Sequence, residues 1–344
     1  MAYSSITKPV DYFNTITYSG NGSNPRTLTG VGFQPDWVWQ KNRTDSNGHT
    51  LADAVRGANK TLSSDGTGAE VTDKSDGHLD AFTSDGFTVG AGSSSDARVN
   101  DGSHTYVAWN WLAGNGTASN GNGSITSTVS INTTAGFSIV SYTGTGSNAT
   151  VGHGLGAAPS YIIIKDRDNS RSWIVGSDGI GWGNYMSLDG TDASTSLSSI
   201  WNSTAPTSTV FSVGTAANTN NSGSKLIAYC FKEIKGYSKF GKYNGNGNAD
   251  GAFVYTGFRP AFILVKKSSG TKNWYLWDST RASSNDGSDP QLYANLSNAE
   301  DSAAYFDILS NGFKNRNTGV GNDSGGTYIY MAFAEHPFVT EGTK

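Results

Sequence analysis

Short apolar and aromatic segments recur along the whole chain, separated by clusters of Gly, Asn, Asp and Ser. Segment 106–111 (Tyr-Val-Ala-Trp-Asn-Trp) is typical, and such runs of aromatic and β-branched residues predict β-strands. The i, i+3, i+4, i+7 spacing of an amphipathic helix does not recur in any long window. Because the strand signals follow one another closely, we predict an all-β fold of antiparallel, jelly-roll-like β-sandwiches.

Three positions repeat along the chain at constant offsets: a Tyr before a Gly-rich turn, a Pro that begins an apolar strand, and the Lys that ends it. Each position moves by 124 residues from the first copy to the second, and by 101 residues from the second to the third. Equal offsets predict three tandem copies of one structural unit. The positions are Tyr18, Pro35 and Lys41, then Tyr142, Pro159 and Lys165, then Tyr243, Pro260 and Lys266.

The repeat places three β-sandwich copies at residues 1–113, 136–235 and 236–344, the last with a C-terminal tail. Residues 114–135, rich in Gly, Ser and Asn, are predicted to form either a flexible linker or an added edge strand. We therefore expect the first copy to be mobile relative to the others. The second and third copies follow one another directly, so we expect them to pack rigidly.

Composition indicates a folded protein with a weakly charged surface. Charged residues make up 15% of the 344 residues and the net charge is −4, while nine Trp and sixteen Tyr supply core material. Clustered Lys and Arg are lacking, so we expect no nucleic-acid partner. No segment has the apolar length of a secretory signal or a membrane span, and we expect a protein that folds where it is made. The lone Cys230 is predicted to be a core residue.

Each copy places an Asp on the strand that follows the repeated Lys, namely Asp53, Asp178 and Asp278. A Lys–Asp pair could be a catalytic or anion-binding site, or a cross-strand ion pair at the sheet margin. We predict the ion pair, because a catalytic site is rarely kept in triplicate. The ring two residues after the repeated Pro could stack on a sugar or fill a core, and its variation favours the core. These rings are Trp37, Tyr161 and Phe262.

Two Trp residues of the second copy, Trp182 and Trp201, lie in polar loops and have no counterparts in the other copies. We name them as binding candidates that would contact a glycan or a neighbouring subunit, together with Asp166 and Asp168. Turn chemistry accounts for the Asp-rich loops, and no His or Cys spacing fits zinc, so we predict no metal, no cofactor and no catalytic residue. An enzyme acting on glycosidic bonds would need converging carboxylates, for which the candidates are Asp166, Asp168, Glu233 and Asp278.

A set of motifs is spread over the chain: 11–15, 18–22, 30–39 (Gly-Val-Gly-Phe-Gln-Pro-Asp-Trp-Val-Trp), 53–57, 84–90 (Ser-Asp-Gly-Phe-Thr-Val-Gly), 123–130 and 257–262. These motifs resemble a repeat module of tailed-phage virion proteins, notably of marine and freshwater phages including cyanophages. The resemblance spans nearly the whole chain and implies a structural or tail-fibre-like virion protein, without catalytic residues to carry over. The second copy departs most from the pattern, so we expect specialised binding there.

We therefore expect a non-enzymatic virion structural protein that is part of a tail fibre, a receptor-binding appendage or a head decoration, and is assembled in the host cytoplasm. Its expected partners are other virion proteins, further copies of itself in a homotrimer, and host-surface glycans. Two alternatives come from other classes: a carbohydrate-active enzyme (depolymerase) that degrades a surface polysaccharide, and a lectin.

Overall fold

A computed structural model of the chain describes residues 4–282, 285, 287–303 and 305–337. Strands account for 45% of the structure and helices for 3%, and the strands form several antiparallel sheets. The predicted all-β, sandwich-type fold is therefore confirmed. Among the described residues, no helix has the length and apolar character needed to cross a membrane. The C-terminal tail expected at 338–344 lies outside the described residues.

The first copy builds a large sheet and a small sheet. After a 3-10 helix at Pro9–Asp11, its strands are β1 (Phe13–Ser19), β2 (Arg26–Thr29), β3 (Trp37–Asn42), β4 (Thr50–Asp53), β5 (Gly57–Leu62), β6 (Val71–Thr72), β7 (His78–Thr83), β8 (Gly86–Gly90) and β9 (Thr105–Trp111). The strand order is β1-β9-β3-β4-β5-β6 in the large sheet and β2-β8-β7 in the small sheet.

The second copy repeats this plan with two added strands in the large sheet, one strand fewer in the small sheet and two short helices. Its elements are β10 (Ala118–Asn120), β11 (Ser127–Asn132), β12 (Phe137–Thr143), β13 (Ala149–Gly152), β14 (Tyr161–Asp166), β15 (Ile174–Ser177), β16 (Asn184–Ser187), β17 (Thr195–Ser196), α1 (Ser198–Trp201), β18 (Val210–Val213), α2 (Ala217–Asn220) and β19 (Lys225–Phe231). The large sheet has the order β10-β11-β12-β19-β14-β15-β16-β17, and β13 pairs with β18 in the small sheet.

The third copy again combines a large sheet with a small one. Its strands are β20 (Ser238–Asn244), β21 (Phe253–Tyr255), β22 (Phe258–Lys267), β23 (Trp274–Asp278), β24 (Asp289–Tyr293), β25 (Asp301–Ala303), β26 (Phe306–Leu309), β27 (Gly312–Asn315) and β28 (Thr327–Pro337). The orders are β20-β28-β22-β23-β24-β25 and β21-β27-β26. In every copy, therefore, the last strand (β9, β19 or β28) lies between the strand that carries the repeated Tyr (β1, β12 or β20) and the Pro-led strand (β3, β14 or β22).

Residues 114–135 are built into the second copy. Strands β10 and β11 come from this segment and extend the large sheet beyond β12, so the edge-strand alternative is correct and the flexible linker is not. The start of the segment is also held in place, because the buried Asp36 carboxylate accepts hydrogen bonds from the backbone N–H of Ala113 (2.7 Å) and Asn115 (3.2 Å).

The central strands of the large sheets are buried on both faces. In β3, Trp37 and Trp39 enter one core and Val38 enters another, as the alternation of side chains along a strand requires. The outer core of each copy lies between its large and small sheets. Trp37, Tyr161 and Phe262 are at most 1% exposed, which confirms their predicted place in the core.

The inner faces of all three large sheets share one aromatic core. Trp37 of the first copy stacks on Tyr229 of the second copy with ring centroids 4.3 Å apart. Trp111 of the first copy contacts Phe333 of the third copy at 5.7 Å, and Phe333 contacts Phe231 of the second copy at 5.8 Å. The first copy is thus packed against both others, contrary to the expectation that it is a separate, mobile body.

Candidate functional site

The three repeated lysines, Lys41, Lys165 and Lys266, are fully buried at the ends of the central strands. Each ammonium donates a hydrogen bond to the main-chain carbonyl of the next residue, at 2.5, 2.6 and 2.7 Å respectively. Burial lowers the pKa of each lysine to about 8. A second carbonyl also accepts from each ammonium, in the following turn for Lys41 and Lys165, and at Asp192 O of the second copy (2.9 Å) for Lys266. The predicted cross-strand Lys–Asp pair is wrong, since these lysines bind main-chain carbonyl groups.

The repeated acidic position is occupied in two copies only. Asp53 and Asp278 stand in the same register against the central strand of their sheets. In the second copy the residue in this register is Ser177, so the assignment of Asp178 to the repeat is wrong by one position. The constant offsets of 124 and 101 residues already lead from Asp53 to Ser177 and on to Asp278.

A buried group that we call the first charge cluster joins the first and second copies. It consists of Asp53, Arg56 and Glu70 from the first copy with Arg167 and Tyr229 from the second. Arg56 contacts Asp53 at 2.5 Å and Glu70 at 3.2 Å, and the side chains of Arg56 and Asp53 are 0% exposed. Arg167 donates two hydrogen bonds to Glu70, both at 2.9 Å, and the Tyr229 hydroxyl donates to Asp53 at 2.7 Å. Two positive and two negative charges balance one another inside this interface.

The second charge cluster joins the third and first copies with the same design. It consists of Asp278, Arg281 and Glu300 from the third copy with Arg43 and Trp109 from the first. Arg281 contacts Asp278 at 2.6 Å and Glu300 at 2.8 Å, again with Arg281 and Asp278 fully buried. Arg43 donates two hydrogen bonds to Glu300 at 2.9 and 2.7 Å, and the Trp109 indole N–H donates to Asp278 at 2.9 Å.

The interface between the second and third copies keeps the backbone geometry of the other two without their charges. Ser194 donates its backbone N–H to Ser268 O at 2.9 Å, in the way that the backbone N–H groups of Glu70 and Glu300 donate to the carbonyls of Arg167 and Arg43 at 2.8 Å. Ser and Ile replace the four charged residues, and Met replaces the Tyr or Trp that donates to the buried Asp. These residues are Ser177, Ile180 and Ser194 of the second copy and Ser268 and Met331 of the third.

One ring N–H from each copy also holds the main chain of a neighbouring copy. The donors occupy equivalent positions in the repeat, so the contact recurs at all three interfaces and the copies follow one another cyclically around the aromatic core. The pairs are His49 Nε2 with Tyr293 O (2.8 Å), Trp173 Nε1 with Ser63 O (2.9 Å) and Trp274 Nε1 with Ser187 O (2.8 Å).

At neutral pH, the ionisable groups at these interfaces are in the protonation states that their hydrogen bonds and ion pairs require. Burial lowers the pKa of His49 to about 4, so the imidazole is neutral, and its Nδ1 accepts a hydrogen bond from the Trp39 indole at 2.8 Å. Burial opposes ionisation of Glu70 and Glu300, but the hydrogen bonds and charges of their arginine partners hold the pKa of both below the ordinary value. Each carboxylate is therefore ionised and bound to arginine.

The two tryptophans named as binding candidates are core residues. Trp182 is 7% exposed and Trp201 is 0% exposed, and their rings pack edge to face at 5.3 Å in the outer core of the second copy. The Trp182 indole N–H donates to Asp178 at 2.7 Å. The expectation of exposed rings is wrong because the polar loops around them fold onto the sheet with α1 and bury them.

Asp166 and Asp168 serve the turn that contains them. Asp166 is fully buried, and its carboxylate accepts backbone hydrogen bonds from Asp168 (2.9 Å) and Asn169 (3.0 Å). Asp168 is exposed and accepts the backbone N–H of Lys225 at 2.8 Å. Within the described ranges, no group of three or more His, Cys, Asp or Glu side chains is placed to hold a metal ion.

A protein-family model described as "Domain of unknown function (DUF7483)" matches residues 8–337. The chain belongs to this family. Since the match runs through all three copies and both charge clusters, the DUF7483 model corresponds to the complete set of three copies and not to a single repeat. No match was found among curated proteins or among solved structures.

Two surface features of this DUF7483 chain were missed by the sequence reasoning. The first is a shallow groove of about 340 Å³ on the second copy, lined by hydroxyl side chains on and just before β11 and on β12, and by Arg167 and Lys225. The alternation of hydroxyl residues, seen at Thr126 and Thr128, is its sequence signal. The second is a pair of exposed aromatic rings on β21, Phe253 and Tyr255.

Proposed function

We propose that this protein is a non-enzymatic structural component of a tailed-phage virion, as part of a tail fibre, a receptor-binding appendage or a head decoration. The observation that carries the proposal is the fusion of three β-sandwich copies through one aromatic core and two buried charge clusters. A force applied to one copy is passed to the other two through packed side chains, because such interiors deform little. That property suits a part of an exposed particle.

The arrangement of the carboxylates also supports a structural role. Asp53 with Glu70, and Asp278 with Glu300, each converge on one buried arginine. Asp250 and Asp307 likewise converge on Arg316, which is partly exposed. A glycosidase needs one protonated and one ionised carboxyl group facing a sugar. A carboxylate bound to arginine stays ionised and has its oxygens engaged by the guanidinium, which fits a structural role.

Further copies of the chain and other virion proteins are the proposed partners. The homotrimer expected from the sequence stays a prediction. Because one chain already closes a cyclic set of three copies, a trimer would assemble through outer surfaces and not through the aromatic core. Light scattering of the purified protein distinguishes a mass of 36.2 kDa from three times that mass.

Particles made by the virus that encodes the chain provide the direct test. We expect mass spectrometry of gradient-purified particles to detect the chain at a fixed ratio to the capsid protein, and immunogold electron microscopy to place it on the tail or the head. Detection only in the soluble fraction of the lysate would refute the proposal. Release of reducing ends from host envelope polysaccharide by the purified protein, lost in Asp166→Ala or Asp278→Ala, would instead favour the depolymerase.

A further inference from the structure

An exposed aromatic pair lies on the outer sheet of the third copy. Phe253 and Tyr255 are 47% and 50% exposed, whereas Val254 between them is buried in the core below. Since side chains alternate along a strand, both rings project from the same, solvent-facing side of β21, about 7 Å apart along the strand. Two large rings exposed side by side are uncommon on a surface that is otherwise polar.

The pair belongs to the third copy alone. The equivalent strands can be aligned by a buried apolar residue that faces a Phe, which is Val254 in the third copy. In the first copy the two flanking, outward positions are Thr27 and Thr29, and in the second copy they are Thr150 and Gly152. Copies that share one framework thus differ at this surface, where small residues are replaced by aromatic rings.

The surface beside the two rings consists of a glycine and a rim of charged side chains. Gly312 faces Tyr255 across the sheet, where a Cβ atom would clash with the Val254 carbonyl oxygen and would lie 3.1 Å from the Phe253 ring, so this position beside the rings carries no side chain. On β26, β27 and the adjoining turns, Lys314 pairs with Asp250 at 2.5 Å and Arg316 pairs with Asp307 at 2.5 Å. The rim therefore offers hydrogen-bonding groups with no net charge.

We infer that Phe253 and Tyr255 form a binding platform for an uncharged glycan. A sugar ring presents an apolar C–H face that packs on an aromatic ring, and hydroxyl groups that reach polar neighbours, which is the combination found here. Half-exposed rings of this size offer roughly 200 Å² in total, far below the about 800 Å² per partner of a stable protein interface. The balanced rim favours an uncharged ligand over an acidic one.

The inference rests on the proposed virion function and gives it a ligand class. A platform of two rings binds weakly when it acts alone. Many copies on one particle convert weak contacts into firm attachment, because the second contact occurs at a high effective concentration. The platform also moves the expected recognition surface from the second copy to the third.

Affinity electrophoresis of the purified full chain tests the platform. The gels contain yeast mannan, dextran, β-glucan or galactan as uncharged probes, and alginate as an acidic one. The test variant is Phe253→Thr with Tyr255→Thr, which restores the residue type of the first copy. The matched controls are Leu197→Ala and Val71→Ala, which remove exposed apolar side chains elsewhere (43% and 39% exposed).

We expect at least one uncharged polysaccharide to retard the wild-type chain and both controls, and the double Thr variant to bind at least tenfold more weakly. We also expect retardation to change little when salt is raised to about 0.5 M, since no ion pair with the ligand is involved. Three results would overturn the inference: no retardation by any uncharged probe, equal retardation of the double Thr variant, or retardation by alginate alone. Capture of a virion protein that requires both rings, without glycan binding, would also overturn it.

The two proposals fail separately. The double Thr variant should enter particles as the wild type does, because its outer sheet is not part of the aromatic core or the charge clusters. Glycan binding by a chain that is absent from particles would overturn the virion function and leave the platform standing. Particles that contain the chain, with no glycan binding by the purified protein, would overturn the platform alone.

Discussion

Replacing Arg56 by Met removes the centre of the first charge cluster and keeps much of its volume. The Asp53 carboxylate, 0% exposed, would keep the Tyr229 hydroxyl as a partner but lose its counter-ion, and Glu70 would keep only Arg167. Removing one member of a buried ion pair costs about 3–5 kcal/mol, because the remaining charge is left uncompensated. A whole domain is stable by only about 5–15 kcal/mol, so the loss is large.

Urea unfolding followed by tryptophan fluorescence measures this loss as a shift of the midpoint. We expect one cooperative transition, since the three copies share a core. Arg316→Met is the matched control: its guanidinium also pairs with a carboxylate at 2.5 Å but its side chain is 37% exposed, so we expect a cost of at most about 1 kcal/mol. If Arg56→Met is no more damaging than Arg316→Met, the reasoning about burial is refuted.

The charge-free interface supplies a second arm for the same experiment. A variant with five substitutions gives the interface between the first and second copies the residues found between the second and third. The substitutions are Asp53→Ser, Arg56→Ile, Glu70→Ser, Arg167→Ser and Tyr229→Met. This exchange removes all four charges together, so that no buried charge is left without its partner, which is the main cost of Arg56→Met. We therefore expect five substitutions to cost less than Arg56→Met alone, and a larger cost would contradict this explanation.

Three further predictions concern pH and packing. Burial lowers the pKa of Lys41, Lys165 and Lys266 to about 8, so between pH 8 and about 10 the unfolded chain binds protons that the folded chain has released. The urea midpoint should therefore rise over this pH range. Lys41→Met should remove about a third of the rise, and a midpoint that does not change with pH would contradict the prediction. As the pH falls below the ordinary value of 4.5 for Glu70, the stability that its lowered pKa provides should be lost, and Glu70→Gln should unfold with a shallower acid dependence in a circular-dichroism titration. Trp201→Ala, at a fully buried ring, should cost about 3–5 kcal/mol in the same urea assay, and a cost below about 1 kcal/mol would argue against its place in the core.

The strands and the repeat could be predicted from the sequence because both depend on local patterns. The aromatic run 106–111 became β9, and the constant offsets marked positions that the three sheets place in the same register. The same offsets contain the signal for the charge clusters. Arg56 and Arg281 stand three residues after Asp53 and Asp278, whereas the second copy has Ile180 at this position.

The contacts between copies could not be predicted because they depend on tertiary packing. Trp182 follows two glycines and precedes another in a short stretch, which indicates an exposed loop, yet the loop folds back so that Trp182 packs on Trp201. Residues 114–135 have the composition of a linker, and only the free edge of β12 makes two of their segments into strands. Composition does not reveal which sheet edge is available.

The distribution of the charge clusters follows the way the chain connects the copies. The second and third copies are tethered by the short segment 232–237, and their interface has no charge cluster. The first and second are joined by the longer 114–135, while the third meets the first with no direct connection, and these two interfaces carry the clusters. A short tether keeps its ends at a high effective concentration without specific contacts. A two-piece version of the protein divided within 114–135 can therefore reassemble through both charge clusters. One divided within 232–237 has only the second cluster, between the third and first copies, and should reassemble less tightly.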